Sequence, residues 1–211
     1  MDNLQDVRKT YELSHLHENQ LHQNPFEQFS AWIKDAMDSP ELEASAMALS
    51  TVDDQGKPHS RMVLLKDFSD SGFVFFSNYE SDKSVHIQAN NAVSILFFWQ
   101  HLERQVRIEG IVEKIADIES DAYFKSRPIE HKLGTWASPQ SKVIPSANFL
   151  EEQYLYFKEK FKQEIPRPPH WGGYVVKPSR FEFWQGRPSR LHDRIIFSLQ
   201  NNEWKIERVA P

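Results

Sequence analysis

The chain has 211 residues, 39% hydrophobic and 26% charged, enough for one domain with a substantial core. A net charge of −5 lacks the basic surplus that nucleic-acid binding requires, and the absence of cysteine excludes disulfides, thiolate catalysis and cysteine metal sites. No segment reaches the ~20 apolar residues of a membrane-spanning helix, and the N-terminus has no apolar signal core, so a soluble cytoplasmic protein is expected, bound to neither membrane nor nucleic acid.

Residues 1–24 are polar and aperiodic, which reads as a mobile arm, with residues 25–211 as a single domain. Pro25 suits the first turn of a helix whose Phe26, Phe29, Ile33 and Met37 recur at helical spacing. Strands follow at 46–52 and 58–66, joined by a turn at Gly56, and at 72–77. A short helix at 81–90 precedes strands at 92–99 and 104–115. Helices are predicted at 118–125 and 130–137. After a loop rich in Ser and Pro (138–146), a helix at 147–162 has Ser146 as N-cap and Leu150, Tyr154, Phe157 and Phe161 on one stripe. Past the Pro-rich break at 166–169, strands return at 173–177, 180–184, 190–199 and 204–209.

This order predicts a mainly β, α+β fold: an antiparallel barrel with helices packed on it. Neither GxGxxG nor GxxxxGK[ST] occurs, and with 7 Gly in all, any phosphate must be held by side chains. The nine His show no metal-ligand spacing, so no metal is assigned.

Three clusters carry possible chemistry. In Arg61-Met-Val-Leu-Leu-Lys66, strand alternation points the two cations to opposite faces, either toward two anions or as solvated ends of a buried strand. In Arg190-Leu-His-Asp-Arg194, an extended backbone sets Arg190, His192 and Arg194 on one face. Three nitrogen-rich groups in a row call for an anionic or electron-rich ligand, or for acids on a neighbouring strand. Tyr123 and Arg127, four apart on a helix, share a face that can grip a phosphate or form a routine aromatic–cation pair. Gln105 shares a strand face with Arg107 and Glu109, and Trp184 is either core or a platform for a ring.

The order of short motifs is more specific than any one of them. RMVLLK, FFSN, Lys83 opening a helix, LERQV, YFKSRP, GTWASPQS, WGG, FEFWQG, RLHDR and the terminal WKIERVAP follow in sequence. From about Arg8 to Pro211 this series resembles the pyridoxine 5'-phosphate oxidase family, whose members are FMN-binding split barrels with two flavins at a homodimer interface. The resemblance implies oxidation of pyridoxamine and pyridoxine 5'-phosphates to pyridoxal 5'-phosphate with FMN and O2, releasing hydrogen peroxide.

Carried over by motif, Arg61 and Lys83 match the FMN phosphate ligands, helped by Ser141. Met62, Val63, Leu64, Leu65 and Lys66, with Phe76 and Ser77, match the wall along the flavin. Gln105, Gln140, Trp184 and Arg194 match further flavin contacts. Lys66, Tyr123 and Arg127 match the substrate phosphate clamp; Arg190, Leu191 and His192 match the segment closing over the substrate ring, with Arg190 and His192 catalytic. Arg8 and Tyr11 match an N-terminal lid over the substrate. Two positions depart from the pattern: Asp82 stands where relatives commonly carry Arg beside the FMN phosphate, and His131 where a Ser is expected near the substrate phosphate. Two alternatives remain open, another split-barrel FMN reductase and a non-catalytic pyridoxal phosphate carrier.

Overall fold

The computed structural model describes residues 3–6 and 10–211. Helix α1 (Pro25–Asp38) begins where Asn24 accepts the Phe26 N–H at 2.9 Å, and Pro25 occupies a first-turn position that needs no donor. Its apolar stripe, Phe26, Phe29, Trp32, Ile33 and Ala36, is buried.

Among the described residues, nine antiparallel strands form one curled sheet. Strands β1 (Ala46–Val52) and β2 (Pro58–Leu64) make the expected hairpin, and the short β3 (Asp67–Ser69), not foreseen from the sequence, pairs with β4 (Gly72–Asn78). Helix α2 (Asp82–Ala89) leads to β5 (Ala92–Trp99) and β6 (Arg104–Lys114). Helices α3 (Asp117–Ser126), α4 (Ile129–Ala137) and α5 (Phe149–Lys160) come next, then β7 (Trp171–Gln185), β8 (Asp193–Gln200) and β9 (Glu203–Arg208). The path runs β2-β1-β5-β6-β7-β4-β3 and branches at β7, which also pairs with β8, itself paired with β9. Alternate residues of β4 to β8, among them Phe73, Phe75, Phe97, Phe181, Phe183 and Phe197, point inward and are fully buried around Phe29. The architecture is thus the curled antiparallel sheet with packed helices that the sequence predicts.

Two expected strands, 173–177 and 180–184, are one. Strand β7 runs through Pro178, pairing with β4 over Trp171–Val176 and with β8 over Arg180–Gln185. The pairing with β6 shifts register between Glu109 and Gly110, so that Pro178 faces Gly110, Arg180 faces Glu109, and Ser179 is the extra residue of a bulge. The bulge changes which residues face the core: Tyr174 and Val176 before it, Phe181 and Phe183 after it. Gly110 is required there, since a Cβ would stand 2.1 Å from the Lys177 carbonyl oxygen.

Three further expectations are corrected. Helix α5 begins at Phe149 with Asn148 as cap residue, not Ser146, and buries none of its residues; its Phe157 and Phe161 pack on Trp136 of α4. The N-terminal segment, which shows no hydrophobic period, nevertheless buries Leu16 and Leu21 in the core. It is also pinned by polar contacts: Glu103 accepts the N–H groups of Glu12 and Leu13 at 2.9 and 3.1 Å, and Asp193 accepts that of Leu16 at 3.0 Å. Finally, Arg190 is not in a strand, because Pro188–Arg190 form a 3-10 turn with Ser189 and Arg190 at φ of 56° and 61°. No helix among the described residues is long and apolar enough to cross a membrane.

Candidate active site

A cleft of about 530 Å³ opens between the end of β2, strand β4 and helices α2 to α4. Its apolar side is formed by Met62, Val63, Leu64 and Phe76; Lys66, Ser77, Lys83, Tyr123, Arg127 and Gln140 supply the polar side, joined by His131 and Thr135. Leu65 lies among the core residues and does not line the cleft. The backbone corner explains this: the N–H of Leu65 bonds to Ser45 beside β1, while that of Lys66 bonds across to Val74 of β4.

Lys83 lies deep in the cleft, at the start of α2. Its Nζ donates to Ser77 Oγ at 3.0 Å, Ser81 Oγ at 3.1 Å and Gln140 Oε1 at 3.1 Å. Burial, reinforced by the charge of Arg61 and opposed by Asp82, lowers its pKa to about 8. Arg61 does not line the cleft; its Nη1 donates to Thr51 Oγ1 and to the carbonyls of Leu49 and His59, and burial lowers its pKa against the pull of Asp82. Asp82 is therefore an acid close to both cations.

Arg127, also in the lining, caps α3, donates to Thr135 Oγ1 at 2.6 Å and lies 4.7 Å over the Trp171 ring. Burial lowers its pKa and raises that of Tyr123. The Tyr123 ring stacks on Phe76 at 3.8 Å, and Phe76 on Trp171 at 5.2 Å, giving a continuous aromatic wall. Among the described residues, none of Arg61, Lys66, Lys83 and Arg127 forms an ion pair with a carboxylate.

The remaining candidates gather elsewhere. Gln105 faces Trp184 across β6 and β7, and Trp184 faces Arg194 across β7 and β8, so the three form one row on the sheet face turned away from the core. Beside this row, the Trp184 and His192 rings are 4.8 Å apart, and Tyr11 stands edge-on to both at 5.6 and 5.7 Å. Tyr11 also lies against Gly186, where a Cβ would be 2.8 Å from its Cγ. The Arg187 N–H donates to His192 Nδ1 at 3.0 Å. This leaves Nε2 to carry the proton of the neutral ring. Burial and then the charge of Arg190 lower the His192 pKa, against Asp193.

The expected shared face of Arg190, His192 and Arg194 is not formed, because the strand begins only at Asp193. Arg194 does find an acid on a neighbouring strand, Glu182 at 2.9 Å, whereas Arg190 makes no ion pair among the described residues. Leu191 is exposed, as is Ser141, which adopts a φ of 69°. Arg8 lies outside the described residues.

Sequence reasoning missed several supports. Thr135 and Trp171 hold Arg127, Asp193 and Glu103 fasten the N-terminal segment, and Glu182 pairs with the arginines around it. A signal existed for Glu182: it lies two residues from Trp184 in FEFWQG, hence on the same strand face.

The comparisons with known proteins agree with this geometry. Residues 33–160 match the family model described as pyridoxamine 5'-phosphate oxidase, and residues 171–211 match that of the pyridoxine 5'-phosphate oxidase C-terminal dimerisation region. The pyridoxine/pyridoxamine 5'-phosphate oxidases of Gloeothece citriformis and Bordetella pertussis are each 50% identical to the chain, with 98% of it covered and 97% and 98% of their own lengths. That of Cupriavidus necator is 49% identical over the full length of both. Among solved structures, PhzG from Burkholderia lata, in complex with tetrahydrophenazine-1-carboxylic acid, superposes with a TM-score of 0.89 at 24% identity, covering 95% of this chain and 100% of its own. A pyridoxamine 5'-phosphate oxidase-related, FMN-binding protein from Nostoc punctiforme gives 0.71 at 18%, covering 90% and 100%. These two likenesses concern the fold. A curled sheet branching at β7, a cleft whose cations form no ion pair among the described residues and a close match along the whole sequence place the chain in the pyridoxine/pyridoxamine 5'-phosphate oxidase family, with its FMN-binding split-barrel fold.

Proposed function

We propose that the protein oxidises pyridoxamine 5'-phosphate and pyridoxine 5'-phosphate to pyridoxal 5'-phosphate, using FMN and O2. The observation that carries this reading is one aromatic-walled cleft lined by Lys66, Lys83 and Arg127, none of them in an ion pair among the described residues, with Arg61 close to Lys83. Two cation groups separated by flat apolar walls suit two phosphate-bearing rings.

The residues present fit FMN. A buried ammonium is unfavourable without a paired counter-charge; Lys83 has three neutral hydrogen-bond partners and forms no ion pair among the described residues, Asp82 only opposing the charge of Arg61 from nearby. A phosphate there would accept from Lys83 and Arg61, with Ser77, Gln140 and Ser141 close in sequence or space to help. Met62, Val63, Leu64 and Phe76 would hold the ring; of Leu65 only the backbone would be available. Bound FMN would supply the two-electron acceptor that O2 regenerates with release of hydrogen peroxide.

For the substrate, Lys66, Tyr123 and Arg127 would anchor the phosphate, and a remote anchor fixes the register of the reacting end. The row Gln105–Trp184–Arg194, with Tyr11, Arg190, Leu191 and His192 around it, would cover the ring. In one chain that row and the cleft are separate surfaces, since none of its residues lines the cleft. Most of the row belongs to the stretch that matches the dimerisation region. A homodimer in which each subunit's sheet face closes its partner's cleft would complete two sites. His192, held as the neutral Nε2–H form by the Arg187 amide, would act there as a hydrogen-bond donor.

The test is a flavin spectrum of the purified protein, identification of the released flavin, and oxygen uptake with each phosphate. FMN and peroxide formation from both substrates are expected. A colourless protein that stays inactive after FMN addition would reject the reading; flavin without peroxide would point to a reductase or a carrier.

A further inference from the structure

On the sheet face turned away from the core, one carboxylate is almost sealed from water. The Glu182 side chain is 3% exposed and lies 2.7 Å from Arg107 Nη2, 2.9 Å from Arg194 Nε and 3.5 Å from Arg180 Nη2. Burial pushes its pKa up, but the hydrogen bond from Arg194 and the charges of Arg107, Arg194 and Arg180 outweigh this and hold it low, so it is ionised at neutral pH. Its oxygens are divided: Oε1 serves Arg194, and Oε2 serves Arg107 and Arg180. Arg194 is gripped from a second side, since its Nη1 donates to the Ala210 carbonyl at 2.7 Å. A planar guanidinium held at both Nε and Nη1 has its orientation set, and Nη2 is left as the donor without a partner among the described residues.

We propose that Glu182 is a positioning residue for Arg194: it fixes the plane of the guanidinium so that the remaining donor edge meets the cofactor beside Gln105 and Trp184. This rests on the reading that Arg194 contacts FMN. Glu182 is suited to the task because it lies among Arg107, Arg180 and Arg194, two residues from Trp184 on the same face, and is itself immobilised by Arg107. An exposed acid on a flexible side chain would fix nothing.

The test is FMN release from the holoenzyme, followed by the rise of free-flavin fluorescence on dilution, with melting temperature measured in parallel. Arg194→Ala should raise the FMN dissociation constant about tenfold, the worth of one charge-assisted hydrogen bond. Glu182→Ala should reproduce most of that loss, Glu182→Gln should restore it to within about threefold because the acceptor is kept, and Glu182→Ala should add nothing in the Arg194→Ala background. If Glu182→Ala does not fold, Glu182→Asp, whose acceptor is withdrawn by one methylene, takes its place and should also weaken FMN. Unchanged FMN release in Arg194→Ala overturns the cofactor contact itself. Weakened release in Arg194→Ala combined with normal release in the Glu182 variant, or with an equal further loss in the double variant, overturns the positioning role alone.

Discussion

Replacing Lys83 with methionine should move two properties in opposite directions. In the flavin-free protein Lys83 titrates near 8 instead of 10.5. At 1.36 kcal/mol for each pH unit, that difference corresponds to at most about 3 kcal/mol of destabilisation at neutral pH. The sign follows from linkage: the ammonium is disfavoured in the fold, so the penalty is full below pH 8 and disappears as pH rises toward 10.5. Methionine removes the charge and keeps the length, while Ser77 still donates to Gln140 and Ser81 still donates to the Asn78 carbonyl. The flavin-free variant should therefore gain about 1–3 kcal/mol, or roughly 2–10 °C in melting temperature at fixed protein concentration. FMN affinity should fall about 10- to 100-fold, because one charge-assisted contact to phosphate is lost. The wild-type dissociation constant should also rise with pH above about 8, and the variant should lose that dependence. Calorimetry and flavin-fluorescence titration between pH 6 and 9.5 measure all three. A variant that is less stable at pH 7 yet binds FMN normally would refute the reasoning.

Lys66→Ala combined with Arg127→Ala should raise KM for the phosphorylated substrates by about 100-fold while changing kcat less; an unchanged KM removes the clamp. Arg190→Ala should cut turnover strongly while leaving FMN bound, and wild-type turnover would remove Arg190 from the catalytic group. Because burial holds the His192 pKa below its ordinary 6.5, kcat/KM should decline only as pH falls below that value, and His192→Asn should abolish this acid limb. Asp193, whose pKa is held low by the Leu16 amide, Arg208 and Arg187 despite its burial, stabilises the fold fully above pH 3.8, and that contribution is lost as pH falls through its folded value. Asp193→Asn should expose residues 10–20 to limited proteolysis at neutral pH, and unaltered digestion would show that the latch is not needed.

Most strands were legible because alternation of apolar and polar residues maps directly onto the two faces of a sheet. In the sequence, strand β7 reads as two pieces because the bulge at Ser179 shifts the alternation by one residue, and Pro178 beside it looks like a terminator. The alternation of RLHDR predicts a strand, but Pro188 and the left-handed Ser189 and Arg190 turn the chain first. The burial of Leu16 and Leu21 was not legible, since their anchors, Glu103 and Asp193, are about 90 and 180 residues away in sequence. The cleft residues Lys66, Tyr123 and Arg127 were named from motifs, and the fold brings them together around one cavity. Composition gave no hint that Lys83 would be buried with only neutral hydrogen-bond partners; that depends on which side chains the fold gathers about it.

Ser179 has a weight out of proportion to its size. By inserting one residue between two halves of a strand, it decides the parity of everything downstream. Were Ser179 paired into an even ladder through residues 171–185, Glu182 and Trp184 would turn into the greasy interior and Phe181 and Phe183 out to water, whereas deleting it would close the bulge and leave both faces as they are. The outward face bearing Glu182 and Trp184 and the interior of this protein are thus written on the same stretch of chain, in two interleaved sets whose assignment hangs on a single uncounted position.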